Sequence, residues 1–287
     1  MSDGFTSGQF FAEWKGRERV KLFLFKEIDS TNSELLRRGC ALLPLLKESG
    51  AVSENGAEFH FSVAAAESQS AGRGRLGREF CSPAQTGAYF SFGFVQEGGI
   101  RSPALLTVSA AVGVCRAIEA LSGSTCAIKW VNDIYCNGKK VCGILAEGIM
   151  NPSSGKIEGA VIGIGINIVQ SSFFSPELQK KAGGIADGPD AAKKKIGRLQ
   201  LTARCLEEIA AALDMKNREQ TMREYKSRSF LIGSTVSVFP AAAGTASGSF
   251  CAKAIDITDD AGLLVELADG TRKILHSGEV TLHDSSA

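Results

Sequence analysis

The chain has 287 residues, 44% of them hydrophobic and 22% charged, with 32 basic against 31 acidic side chains and a formal net charge of +1. That length suits one large domain plus a small one, and burial of about three-quarters of the unfolded surface gives a stable core without disulfides or metals. The charge balance excludes a whole-protein field for nucleic acid or an anionic membrane, so an anion must be held by local clusters.

Residues 1–19 are unpatterned and read as a tail. Val20–Phe25 has strand composition, and a helix follows from Thr31 to Arg38, with Gly39 as its stop and Thr31 and Glu34 as a capping box. Residues 40–58 read as irregular, Phe59–Ala66 as a strand, Ala71–Arg78 as a Gly/Arg-rich loop and Gly87–Val95 as a strand. Ser102 and Pro103 open a helix in which Leu105, Val108, Val112, Cys115 and Ile118 recur at helical spacing. Ala127–Cys136 and Lys139–Ile149 read as two strands joined by Asn137-Gly138, a turn whose two positions need positive φ. A second turn, Asn151–Gly155, leads to a third strand, Lys156–Val169. Residues 170–198, with Lys193-Lys194-Lys195, look like a linker, and Ile196–Leu213 and Arg218–Ser227 like helices. From Gly233 onward come short strands at Thr235–Val238, Ser249–Ile257, Leu263–Leu267 and Thr271–Leu275. They predict a β-barrel of about 50 residues beside the mixed α/β body.

Cys40, Cys81, Cys115, Cys126, Cys136, Cys142, Cys205 and Cys251 form no Cys-x-x-Cys pair, and His60, His276 and His283 do not cluster with them. No metal site is expected, and the cysteines read as reduced. The first five residues lack a basic stretch followed by an apolar one, and the longest apolar run, near Ala160–Val169, contains Asn167. The expectation is a cytoplasmic protein without a membrane span.

Gly72-Arg73-Gly74-Arg75-Leu76-Gly77-Arg78 satisfies G-x-G-x-x-G, but Ser82-Pro83 and Gly87 follow where a dinucleotide fingerprint would open a helix. Glycines let the backbone approach a ligand, and three arginines supply forked donors for carboxylate or phosphate. The alternative is a solvated basic loop. Lys129-Trp130-Val131-Asn132-Asp133 places Lys129, Val131 and Asp133 on one face of a regular strand. The apolar neighbours Ile128, Trp130 and Ile134 put that strand in the interior, where a lysine needs an anionic partner. Gly163-Ile164-Gly165-Ile166-Asn167 marks close backbone approach, to a helix or to a ligand.

Taken in order, these segments resemble the biotin–protein ligase family: Ser30-Thr31-Asn32; Ala66–Arg78 with Ser82-Pro83; Lys129–Tyr135; Lys140–Glu147; and Gly163–Ile168. The resemblance covers roughly residues 20–230. It implies an α/β (α+β) fold, with a mixed sheet and helices resembling class II aminoacyl-tRNA synthetases over residues 20–231. A small SH3-like β domain would follow over 232–287. It implies a two-step reaction in which biotin and ATP give biotinyl-5'-AMP and pyrophosphate, after which a lysine of a biotin carboxyl carrier domain takes the biotin. ATP, Mg²⁺ and biotin are the expected small molecules, and the carrier protein of a biotin-dependent carboxylase is the expected partner.

Carried over by position, Ser30, Thr31, Asn32, Gln69, Gly72, Arg73, Gly74, Arg75, Lys129 and Gly143 are the expected biotin contacts. Arg73, Arg78, Phe80, Asn132, Lys140 and Asn167 are expected on the nucleotide side, and Lys129, Arg75 and Asp133 in the chemistry. Joining two anions requires cationic donors to cancel their repulsion. In the second step only about one carrier lysine in 2,500 is neutral at pH 7, a deficit of about 4.6 kcal/mol, so a nearby base would help. Asp133 is the candidate base.

Val131 stands where the family commonly has proline, Phe80 where it commonly has tryptophan, and residues 40–58 look longer than the usual connection. About 20 residues precede the first strand, too few for the DNA-binding module of many relatives, so the expectation is a short form without repressor function. A homodimer through the sheet is expected by family analogy. The rival substrate is lipoate; a DNA-binding regulator and an inactive scaffold are the rival classes.

Overall fold

A computed structural model describes residues 5–187, 196–239 and 248–283. Seven strands form one mixed sheet: β1 (Lys21–Ile28), β2 (Ser62–Gln69), β3 (Gly87–Val95), β4 (Ala127–Lys129), β5 (Asp133–Cys136), β6 (Lys139–Met150) and β7 (Ile157–Asn167). Their spatial order is β1-β2-β3-β7-β6-β5-β4; β1 and β2 run parallel and every other pair antiparallel. A second, antiparallel sheet is built from β8 (Thr235–Phe239), β9 (Phe250–Ile257), β10 (Leu263–Glu266), β11 (Arg272–Leu275) and β12 (Glu279–Leu282), in the order β11-β10-β9-β8-β12.

Period-two alternation gives the large sheet two unlike faces. On β3, β6 and β7, Phe90, Phe92, Ile144, Ile162 and Ile164 enter the main core under α4 (Pro103–Ser122) and α6 (Arg198–Leu213). The alternate residues of the same strands include Ser91, Gly143, Glu147, Gly163 and Gly165. There a smaller cluster gathers Leu35 of α2 (Thr31–Ala41), Phe59 of α3 (Glu54–Phe59), Ala64 and Val161. Each fully buried Ile or Phe contributes about 1.5–3 kcal/mol. The crowded face fixes the strands; the other keeps a glycine floor open. α4 has the length and apolarity of a membrane span, yet 12 of its 20 residues are buried as the core helix. It packs close to α6 because Gly113 has no side chain: a Cβ there would lie 2.6 Å from the Ile209 nitrogen.

Several expectations change. The N-terminal stretch contains α1 (Ser7–Glu13), capped by Thr6, with Phe10 fully buried and packed on Trp14. Seven residues are too few to display a helical period. α2 runs through Gly39, where a Cβ would lie 2.3 Å from the Ile149 side chain, so this glycine serves helix–sheet approach instead of ending the helix. The cap of α2 is Ser30, not Thr31, and Glu34 bonds Arg37 and Arg38 instead of closing a capping box. Residues 40–58 contain the start of α3, capped by Ser53. The strand expected over 127–136 is interrupted at 130–132, so Lys129 and Asp133 face each other across the β4–β5 pair instead of alternating along one strand. Within 170–198 lies α5 (Pro176–Lys181), while Lys193-Lys194-Lys195 falls outside the described residues. α7 (Arg218–Arg228) stands where a helix was expected, and β12 was not foreseen. The cysteines are free, five of them buried.

Candidate active site

A cavity of about 150 Å³ opens on the glycine-rich face. Its floor is Gly143, Ile144, Leu145, Gly163, Ile164 and Gly165 of β6 and β7. Ser30, Thr31 and Asn32, at the start of α2, and Gln69, at the end of β2, form one end. The loop residues Arg73, Gly74, Arg75, Leu76, Arg78, Glu79 and Phe80 form the roof, and Asn132, Asp133, Lys140 and Glu279 close the other end.

The missing side chains are what make this geometry possible. A Cβ on Gly163 would lie 2.0 Å from Asn32 Oδ1, and one on Gly165 would lie 2.4 Å from the Phe80 ring. Gly72 admits the Phe80 carbonyl, since a Cβ there would lie 2.3 Å from it. The loop is a short hairpin: Gly74 N–H donates to the Arg78 carbonyl, Phe80 N–H donates to the Gly72 carbonyl, and a 3-10 turn spans Arg75–Gly77.

The neutral end is a hydrogen-bonded cluster. Thr31 N–H donates to Gln69 Oε1 at 2.9 Å, and Gln69 Nε2 donates to Ser82 Oγ at 2.8 Å. Ser30, Thr31 and Asn32 are all nearly buried. The cations of the roof and of the other end are already paired. Arg73 Nη2 donates to Glu147 Oε1 at 2.7 Å, Arg78 makes a two-pronged contact with Glu279, and Lys140 Nζ lies 2.7 Å from Asp133 Oδ1 outside hydrogen-bond geometry. Arg75 donates to Asn132 Oδ1 and to the Gly278 carbonyl, so the roof touches the second sheet's connection into β12. Such pairs are worth little where exposed, and an incoming anion can take over any of these cations. The cavity, at about 150 Å³, is smaller than the roughly 300–1,000 Å³ of a drug-sized pocket, so a ligand of that size must part these pairs.

Lys129 sits behind the lining. Burial pulls its ammonium below the usual lysine value; Asp133 pushes it up, while Lys140 pulls it down further. The turn after it is clamped from two sides: Tyr225 of α7 donates to the Val131 carbonyl at 2.8 Å, and Trp130 Nε1 donates to the Ala261 carbonyl at 2.8 Å.

Of the residues expected here, Ser30, Thr31, Asn32, Gln69, Arg73, Gly74, Arg75, Arg78, Phe80, Asn132, Asp133, Lys140 and Gly143 line the one cavity. Lys129, Gly72 and Asn167 do not. Gly72 supports the loop from behind, and Asn167 is buried at the far end of β7 beside Gly87. Glu279, Glu79, Leu145 and the partner residues Ser91 and Glu147 were not assigned roles from the sequence. Alternation along Gly87–Val95 and Lys139–Met150 carries a signal for the last two, placing them on the glycine face; nothing local points to Glu279.

A model of the family described as "Biotin/lipoate A/B protein ligase family" matches residues 59–167, from α3 through the loop and hairpin to the end of β7. The protein named "Bifunctional ligase/repressor BirA" of Bacillus spizizenii is 32% identical over 222 residues, 77% of this chain, and the chain spans 66% of that protein's length. The "Biotin--[acetyl-CoA-carboxylase] ligase" of Mycobacterium tuberculosis is 29% identical over 224 residues, 76% of this chain and 74% of that protein. The solved structure "Biotin protein ligase from Aquifex aeolicus in complex with biotin and ATP" aligns with a TM-score of 0.69 at 25% identity, covering 92% of this chain and 99% of that one.

Proposed function

Because the chain belongs to the biotin–protein ligase branch of the biotin/lipoate A/B protein ligase family, we propose that it forms biotinyl-5'-AMP from biotin and ATP and transfers the biotin to a lysine of a biotin carboxyl carrier domain. One observation carries this reading: a single cavity joins a neutral hydrogen-bonding end, Ser30, Thr31, Asn32 and Gln69, to a cationic end, Arg75, Arg78 and Lys140. Biotin's polar ring system suits the first and its carboxylate the second, where the α-phosphate of ATP would meet it.

In the first step a biotin carboxylate oxygen attacks the α-phosphorus and pyrophosphate leaves. Arg73, Arg75 and Lys140 hold the two anions together, and Lys129 supports them from behind; preorganised cations are worth most in a site that excludes water. In the second step the carrier lysine's amine attacks the acyl carbon and AMP leaves, with Asp133 accepting the amine proton. Phe80, lying on Gly165, and Asn132, held by Arg75, border the nucleotide side. Among the described residues no three His, Cys, Asp or Glu gather to hold a metal. Mg²⁺ would accompany the nucleotide substrate and offset the charge of the departing pyrophosphate.

We read residues 20–231 as the catalytic unit, resembling class II aminoacyl-tRNA synthetases, and 232–287 as an SH3-like module. A net charge of +1 supports a protein partner over nucleic acid. A homodimer through the sheet is the proposed assembly, tested by sedimentation velocity. Pyrophosphate–ATP exchange with biotin, lipoate or no acid tests the activity. Exchange that requires biotin supports the reading, exchange with lipoate alone replaces the substrate, and no exchange from folded protein with Mg²⁺ present overturns it.

A further inference from the structure

We propose that Ser91 and Glu147, neither of which lines the cavity, are positioning residues that tie the neutral end of the site to Arg73 through one directional hydrogen-bond chain. The inference deepens, and rests on, the reading of that end as the biotin seat.

The chain has four links. Thr31 Oγ1 lies 2.7 Å from Ser91 Oγ, and Ser91 Oγ donates to Asn32 Oδ1 at 2.5 Å. Asn32 Nδ2 donates to Glu147 Oε2 at 2.9 Å, and Arg73 Nη2 donates to Glu147 Oε1 at 2.7 Å. The acidic terminus sets the direction, because an ionised carboxylate only accepts. Glu147, with the Leu145 carbonyl 3.4 Å from Asn32 Nδ2 beside it, must therefore meet the NH₂ of Asn32, which turns Oδ1 toward Ser91. Ser91 commits its single proton to that oxygen and accepts from Thr31. The Thr31 proton is then shared between Ser91 Oγ and Gln69 Oε1, which lies 3.2 Å away, so the hydroxyl can only accept from a ligand N–H. The charge on Glu147, through the shorter of the two bonds to Asn32 Nδ2, thus biases the polarity of a group three hydrogen bonds away that faces the cavity.

The chain has little room to rearrange. Ser91 is fully buried and Asn32 is 3% exposed, so leaving either unpaired is costly. Asn32 also fills the space above Gly163. A ligand N–H donating to Thr31 polarises every link in the same sense, which strengthens the hold on Arg73. Seating of the ring system and ordering of the arginine loop are then one event.

Trypsin tests this directly, since Arg73, Arg75 and Arg78 are its targets and Leu76 at the loop tip is exposed. Cleavage within residues 73–78 would be timed on the full chain, with and without biotin, for wild type, S91A and E147Q, alongside thermal midpoints. Glu147→Gln is nearly isosteric, replaces the charge-assisted bond to Arg73 with a neutral one and leaves only the longer bond to the Leu145 carbonyl to favour the present orientation of Asn32. The expected result is severalfold faster loop cleavage in both variants, with biotin's protection of the loop largely lost and its Kd raised about tenfold. Wild-type cleavage and protection in E147Q would overturn the chain. So would faster cleavage spread over the whole molecule, with a lowered midpoint, since that marks a merely structural role. Cleavage that depends on Ser91 and Glu147 but not on biotin, even in wild type, keeps the chain and overturns the assignment of its ligand.

Discussion

Gly163 holds Asn32 in place by having no side chain: a Cβ on it would lie 2.0 Å from Asn32 Oδ1 and 2.7 Å from its Cγ. The amide cannot retreat, since it is bonded to Ser91 on one side and Glu147 on the other. Gly163→Ala should therefore push Asn32 off its bonds at a cost of about 1–3 kcal/mol, the usual range for overpacking. The expected outcome in biotin-dependent exchange is a KM for biotin raised at least about tenfold, with the KM for ATP much less affected. An unchanged biotin KM would mean that Asn32 does not contact the ligand.

Lys129 predicts a pH dependence. Its burial disfavours the charged form in the free protein, and Asp133 only partly offsets this. An anionic ligand favours the ammonium, so binding takes up a proton once the pH exceeds Lys129's free-state pKa, which lies below the usual 10.5. Biotin affinity should fall as pH rises through that value, by up to tenfold per unit, and level off above the bound-state value. Lys129→Arg keeps its charge and should flatten the curve. Calorimetry between about pH 8 and 10.5 checks the slope; a slope that survives in the arginine variant assigns it elsewhere.

Asp133 separates the two half-reactions. It faces Lys129 across the strand pair, and its buried Oδ1 lies 2.7 Å from Lys140 Nζ outside hydrogen-bond geometry. Asp133→Asn should leave pyrophosphate exchange within severalfold of wild type. Single-turnover transfer from preformed adenylate to a carrier domain should slow at least about 100-fold, the scale of general-base catalysis. Full transfer speed in the variant would exclude Asp133 as the base.

Tyr225 gives a stability prediction. It is fully buried and donates to the Val131 carbonyl at 2.8 Å. Tyr225→Phe strips the carbonyl of that donor, at a cost of about 1–3 kcal/mol. For a chain of this size that lowers Tm by about 2–4 °C per kcal/mol. Differential scanning calorimetry should show the drop; no change would mean that water replaces the hydroxyl.

Some of this protein was readable residue by residue. Gly87–Val95 alternates as a strand, Pro103 opens its helix, and Asn137-Gly138 turns the hairpin and sets its first two pairs, before a bulge between Ile134 and Tyr135 shifts the register. The Gly/Arg loop showed its charge and its backbone freedom, because both belong to the residues themselves. Tertiary structure decided the rest. That Ser30 rather than Thr31 caps α2 depends on Thr31 having partners in Gln69 and Ser91, 38 and 60 residues away. Gly39 reads as a helix stop until Ile149 is seen beside it, and α1 has no visible period until Phe10 finds the core. Glu147 meets Arg73 across 74 residues, and Glu279 meets Arg78 across 201. Local pattern encodes what a backbone prefers within a few residues. Which carboxylate neutralises which arginine is set by where the sheet brings distant strands together, and single-residue chemistry does not contain that distance.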